Sequence, residues 1–182
     1  MKIRLATPKD IKQIKKLQEK NHYKNLSEKE MKKEGFVSVE TPLNLLKKII
    51  DEGIFIYEIN NKIIGYVMPL TLEHAKEIPL LFPFIDKFSK IKYKNKKILD
   101  YNWIIAGQIC VDKEYKGKGI AKDLWKNFLK LMKKKYDLIV SEVSTSNPRS
   151  VHVCKTKLKM ETIKTYQADG KEWYVVIYDL KK

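Results

Sequence analysis

The stretch IIAGQICVDKEYKGKGIAKDLWKNFLKLM, residues 104–132, decides the fold. An apolar run from Ile104 to Val111 gives way to a short Lys/Gly loop, then to an amphipathic pattern opening at Lys118 or Gly119. Ile120, Leu124, Phe128, Leu131 and Met132 recur at three- and four-residue spacing, so they share one face of a helix. The glycines fall where strand becomes helix. There the first helical turn has free backbone N–H groups and the positive end of the helix dipole. Gly119 lets a ligand approach the backbone closely, because no Cβ stands in the way. Such a place suits a phosphate.

Three phosphate loops compete for it. The Walker pattern fails, since neither Gly117 nor Gly119 opens its spacing and no Lys-Ser/Thr pair follows. The dinucleotide fingerprint G-x-G-x-x-G matches Gly117 and Gly119 but then meets Lys122, and the loop lies past the middle of the chain. The third candidate fits better. Lys116-Gly117-Lys118-Gly119-Ile120-Ala121 resembles the Arg/Gln-x-x-Gly-x-Gly/Ala signature of the GNAT-type N-acetyltransferases, with Lys at the first position. After the helix comes a second strand, Leu138 to Val143, and then Asn147-Pro148-Arg149-Ser150 opens another helix. This is similar to the family's Asn-x-x-Ala/Ser segment, with Met160 where Phe is usual.

The resemblance implies an α+β (mixed α/β) chain with the GNAT acyl-CoA N-acyltransferase fold. Its central, mostly antiparallel sheet would be flanked by helices and splayed at one parallel pair, the strands before the loop and after its helix. It also implies an acyltransferase that moves an acetyl group from acetyl-CoA, the co-substrate, to a primary amine. Transfer would be direct, in a ternary complex and without an acyl-enzyme. The cofactor would be held by main-chain groups of Ile109, Cys110 and Val111, by the loop from Lys116 through Gly117, Lys118, Gly119, Ile120 and Ala121 to Lys122, and by Asn147. Asn147 is equally suited to cap its helix, since Pro148 follows at a first helical position.

Acid and base are harder to place. Where the family often carries a thiolate-protonating Tyr, four residues after Ser150, stands Cys154; a thiol with an ordinary pKa of about 8.5 has a proton to give. His152 lies on another side of that helix. The strand from Trp103 to Val111 has no acid, so Glu142 on the next strand is the candidate base, with Asp100 a second. A carboxylate among Leu138, Ile139, Val140 and Val143 is costly unless used or paired. Tyr101, Trp103 and Gln108 are candidates for binding the acceptor. Lys126 and Lys130, further along the helix, fit a solvated face.

Composition sets the bounds. The 182 residues make one domain, 1–182, and enclose a real core. No apolar run reaches membrane-spanning length, and the first residues lack a signal-peptide core, so the expectation is a cytoplasmic protein without a membrane partner. Cys110 and Cys154 show no metal spacing. The net charge of +16 is almost all lysine, with Arg4 and Arg149 the two arginines. Base readout favours arginine, so a nucleic-acid partner is not expected; attraction of polyanionic coenzyme A is. The acceptor is expected to be a small-molecule or peptide amine, and the protein a monomer or homodimer. The competing readings are an acyl-CoA-binding module with little catalysis and a basic nucleic-acid-binding domain.

Along the chain, Lys2–Ala6 reads as a strand and Thr7-Pro8-Lys9-Asp10 as a helix start. Further helices are expected around Ser27–Lys33 and from Thr41-Pro42 to Gly53. A hairpin is expected to turn at Asn60-Asn61. Residues 69–101 form an insertion between the third and fourth strands, with the apolar cluster Leu80, Leu81, Phe82, Phe84, Ile85 and Phe88. It reads as a lid or binding wall, or equally as a surface hairpin or a dimer contact; as a lid it is expected to fold as one or two short helices over the acceptor side of the cleft. A last hairpin turns at Asp169-Gly170.

Overall fold

The computed structural model describes residues 1–88, 90–168 and 170–182. Strand β1 (Lys2–Leu5) leads through a 3-10 turn into α1 (Ile11–Asn21), and that junction is fixed by one arginine. Arg4 is bidentate to Asp10, at 2.7 and 2.9 Å, and its Nε donates to Glu58 at 2.9 Å. Asp10 also accepts from the backbone N–H and hydroxyl of Thr7. The Arg4 hydrogen bonds hold the Asp10 carboxyl down at about 2. A lowered carboxyl stabilises the fold above its unfolded pKa and stops doing so as pH falls through the folded one. Asp10→Asn should therefore lower stability at pH 7 by about 2 kcal/mol. The deficit should shrink between about pH 4 and pH 2, as urea unfolding of both proteins would show.

Ser27 caps α2 (Glu28–Glu34), accepting from the Glu30 N–H at 3.3 Å, and Gly35 ends it at φ 70°. Helix α3 (Leu43–Ile49) turns Leu45, Leu46 and Ile49 inward and runs through a 3-10 turn to Gly53. Strands β2 (Phe55–Ile59) and β3 (Lys62–Leu70) form the expected hairpin, with Asn60 and Asn61 both at positive φ. Then follow β4 (Trp103–Val111), α6 (Ile120–Met132), β5 (Leu138–Ser144), α7 (Pro148–His152), β6 (Glu161–Ala168) and β7 (Lys171–Asp179). Of the expected final turn, Gly170 has φ 68° and Asp169 lies outside the described residues.

The seven strands form one sheet in the order β1-β2-β3-β4-β5-β7-β6. Every pairing is antiparallel except β4 with β5. That parallel pairing covers Trp103–Leu138, Ile104–Ile139 and Ile105–Val140, and goes no further. On the other side of β4, Met68 faces Gln108 and Pro69 faces Ala106, leaving Gly107 as a bulge. A bulge bends its strand, and here the bend begins where β4 leaves β5. Helices α1 and α3 cover one face of the sheet. Helix α6 covers the other, with Leu124 and Phe128 on Ile64, Ile139 and Val176.

The insertion folds into α4 (Leu72–Ala75), α5 (Phe82–Phe88) and a two-stranded ribbon pairing Lys92–Tyr93 with Lys96–Lys97. Its apolar cluster is only partly covered. Leu81, Phe84 and Phe88 are buried, whereas Leu80 and Phe82 stay 42% and 52% exposed. Phe88 packs on Trp103 at 4.4 Å between ring centroids. Lys87 donates to the Gln167 carbonyl at 3.3 Å and lies 4.8 Å over the Tyr166 ring.

Candidate active site

A cavity of about 490 Å³ opens where β4 and β5 part, reaching from the glycine loop to the insertion. The register of β4 decides what its backbone offers there. Asp112 N–H donates to Ile64 C=O at 2.8 Å, so the alternation of an antiparallel ladder directs Cys110 main-chain groups to β3. Those of Ile109 and Val111 turn the other way, to the side that β5 has left. Of the three main-chain sites expected, Cys110 is thus committed to the sheet. Its side chain is buried towards α1, and burial pushes the thiol up to about 12.

The loop is set by Asp112, which is ion-paired to Lys20 at 3.0 Å and accepts from the Glu114 N–H. Gly117 and Gly119 have φ 81° and 83°, and a Cβ at either would meet nothing within 4 Å. The space in front of them is open, and Gly119 is the N-cap of α6, whose first turn presents unpaired N–H groups to it. Ile120, Ala121 and Lys122 border the same cavity. Lys118 stands aside, 5.0 Å over the Tyr115 ring. Lys116 is turned inward: its ammonium donates to Glu34 C=O at 2.9 Å, and burial lowers its pKa. The open glycine turn, the helix N-terminus, the nearby lysines and the free β4 edge together fit a pyrophosphate on an amide-bearing arm.

Of the two roles open to Asn147, the structure shows the cap. It caps α7, accepting from Ser150 N–H at 3.2 Å, and it borders the cavity. It also donates to Phe36 C=O at 3.0 Å, and a Cβ on Gly35 would come within 2.9 Å of its Oδ1. This reveals a wall that the sequence did not announce. The segment from Gly35 to Val39 crosses the cavity, pinned by Asn147 and by the Gln108 amide, which donates to Val39 C=O at 3.0 Å. Gln108 accepts from Gln18 at 2.8 Å and from the Tyr66 hydroxyl. Its side chain borders the cavity but serves the scaffold.

Glu142 lies in the cavity wall, and its carboxylate accepts from the Tyr166 hydroxyl. Burial raises it to about 7, partly offset by that hydrogen bond. A base poised there is matched to neutral pH. Cys154 also borders the cavity, one residue into the wide turn (Val153–Lys157) that continues α7. Burial pushes its thiol up to about 11, which makes it a poor proton donor to another thiolate. His152 is exposed and bonds Thr156.

Tyr101 and Trp103 are not where the sequence reading put them. The sheet opens at the C-terminal end of β4, and Trp103 sits at the other end, still paired with Leu138. Tyr101 donates to Tyr93 C=O at 2.9 Å and, like Trp103, holds the insertion. Asp100 lies at that end too. The aromatic residues lining the cavity are Phe36, Phe84, Tyr115, Trp125 and Trp173 instead. Among the described residues no group of His, Cys, Asp and Glu is placed to hold a metal ion, and no helix is long and apolar enough to cross a membrane.

A model of the acetyltransferase (GNAT) family matches residues 14–158. No curated protein matches the chain. Among solved structures, a Streptococcus mutans UA159 protein is 20% identical with a TM-score of 0.66, the match covering 99% of each chain. An N-acetyltransferase from Staphylococcus aureus Mu50 is 18% identical with a TM-score of 0.63, covering 98% of each. The ribosomal-protein-S18-alanine N-acetyltransferase from Escherichia coli is 12% identical with a TM-score of 0.61, covering 98% of this chain and 93% of its own. At such identities the likeness is one of fold.

Proposed function

We propose, from the premise that this chain belongs to the acetyltransferase (GNAT) family and is an acyltransferase, that it moves an acetyl group from acetyl-CoA to a primary amine by direct transfer in a ternary complex. The observation that carries this reading is a single cavity that joins the open glycine turn of α6 to a carboxylate raised to about 7.

The residues divide the work. The first turn of α6 and Lys122 would hold the pyrophosphate, and the β4 edge at Ile109 and Val111 would hold the pantetheine arm. An N–H of that edge would meet the thioester carbonyl, where negative charge develops during attack. Glu142 would take a proton from the incoming ammonium, directly or through water, leaving a neutral nucleophile. The departing thiolate would take up, through water, the proton that the attacking nitrogen sheds as the amide forms, with Cys154, raised by burial, left protonated. Direct transfer is favoured because, among the described residues, neither thiol nor Ser144 is activated as a nucleophile. Both thiols are raised, and Ser144 bonds Ser146 instead of a base.

Incubation with acetyl-CoA and a panel of primary amines tests this, by thiol release and by the mass of the product. Amine-dependent thiol release with an N-acetyl product is expected. Heat stabilisation by acetyl-CoA with no amine-dependent release would identify an acyl-CoA-binding module instead.

A further inference from the structure

We propose that the acceptor is a small primary amine with a single positive charge on an apolar body, the body resting against Phe36, Leu80, Leu81, Phe84 and Trp173 and the amine turned to Glu142. This rests on the acyl-transfer reading above and narrows its substrate.

The wall comes from three separate parts of the chain: the segment after α2, the insertion, and β7. Its one side-chain donor, the Trp173 indole N–H, is already given to Ala168 C=O at 3.3 Å. An acceptor rich in hydroxyl groups would lose water against these five side chains, which offer it no free partner. An apolar body gains from the same burial.

Charge points the same way. Among the described residues, Glu34 and Glu142 are the carboxylates of the cavity, and Glu34 sits beside Lys33 at 3.8 Å. Lys116, Lys122, Arg149 and Lys157 border it, in a chain of net charge +16. One ammonium is served by Glu142. A second, as in a polyamine, would lie on the apolar wall or face like charges.

Space and scaffold complete the case. About 490 Å³ must take the thioester arm as well as the acceptor, which suits a small molecule. The wall and the carboxylate are also joined. Lys87 at the end of α5 lies over the Tyr166 ring, and the Tyr166 hydroxyl holds Glu142. The insertion is therefore placed to set the body of an acceptor relative to the base.

The test uses the full chain with 2-phenylethylamine, ethanolamine, spermidine and a short alanyl peptide. Acetylation is followed with saturating acetyl-CoA, and binding by calorimetry with desulfo-coenzyme A present. Phenylethylamine should exceed ethanolamine and spermidine in kcat/KM by about tenfold or more. Phe84→Ser should cut the phenylethylamine-to-ethanolamine ratio about tenfold. Since Phe84 is buried and its loss endangers folding, Leu80→Lys, at an exposed position, should lower the same ratio. Preference for spermidine or the peptide, or ratios unmoved in both variants, would overturn the proposal. Phenylethylamine binding without acetylation would support the acceptor class and sink the transfer reading. Binding of none of the four would sink this proposal, and acetyl-CoA stabilisation would then report on the cofactor site by itself.

Discussion

Gly119→Glu is expected to abolish the stabilisation that acetyl-CoA gives the folded protein. A ligand bound only to the folded state at a hundredfold its Kd adds about 2.7 kcal/mol. For a chain of this size that is a rise in Tm of roughly 5–10 °C. Gly119 has φ 83° at the N-cap of α6, with no atom within 4 Å of a Cβ built there. A new side chain would project into the space assigned to the phosphates and bring a negative charge with it. The left-handed backbone costs any other residue about 1–2 kcal/mol, so the unliganded variant should melt earlier. The readout is therefore the shift on adding acetyl-CoA, not the Tm itself. Gly119→Ala separates the two causes: it carries the strain without the charge and should keep part of the shift. A full shift in Gly119→Glu would refute the phosphate assignment.

Glu142→Gln is expected to lower kcat by about a hundredfold or more, the range of a lost general base, while the acetyl-CoA shift in Tm stays. The pH dependence carries the sharper signature. With the carboxyl at about 7, activity of the parent should rise with pH through neutrality as Glu142 loses its proton. The variant should lack this acidic limb. Tyr166→Phe removes the donor that favours the ionised carboxylate, so its limb should move to higher pH. Cys154→Ala should remain within about twofold of the parent, because its thiol is too weak an acid to matter. A Glu142→Gln rate near that of the parent would make the carboxylate structural.

The parts of this fold that the sequence disclosed are those governed by neighbours in the chain. Thr7-Pro8 starts a helix, Asn60-Asn61 makes a tight turn, and the glycines before Ile120 mark a strand-to-helix junction, each through local backbone preference. What stayed hidden depends on which end of an element meets which. Trp103 and Val111 belong to one strand, yet at about 3.3 Å per residue they stand some 25 Å apart, and only one end is at the opening. Nothing local says which. Glu142 stood out in the sequence as an expensive carboxylate in an apolar strand. Its partner Tyr166 comes from β6, on the far side of β7, a relation that exists only through the strand order. The wall from Gly35 to Val39 has no periodicity to betray it, and its one sign is the glycine that ends α2.

Mechanically, the sheet is two half-sheets riveted by three residue pairs, Trp103–Leu138 to Ile105–Val140, and by one further tie, the Ser141 hydroxyl donated to Ala106 C=O at 2.8 Å, before the joint opens. The four strands β1 to β4 ride on one plate and β5, β7 and β6 on the other. Helix α6 packs on both plates, so relative tilt is resisted at the rivets and in the core that this helix shares between them. An arm laid along the free edge of β4 would act as a shim, taking up the slack between plates while being gripped by them. The stiffness of the joint and the hold on the acyl donor would then be one mechanical quantity, and loosening either would loosen both.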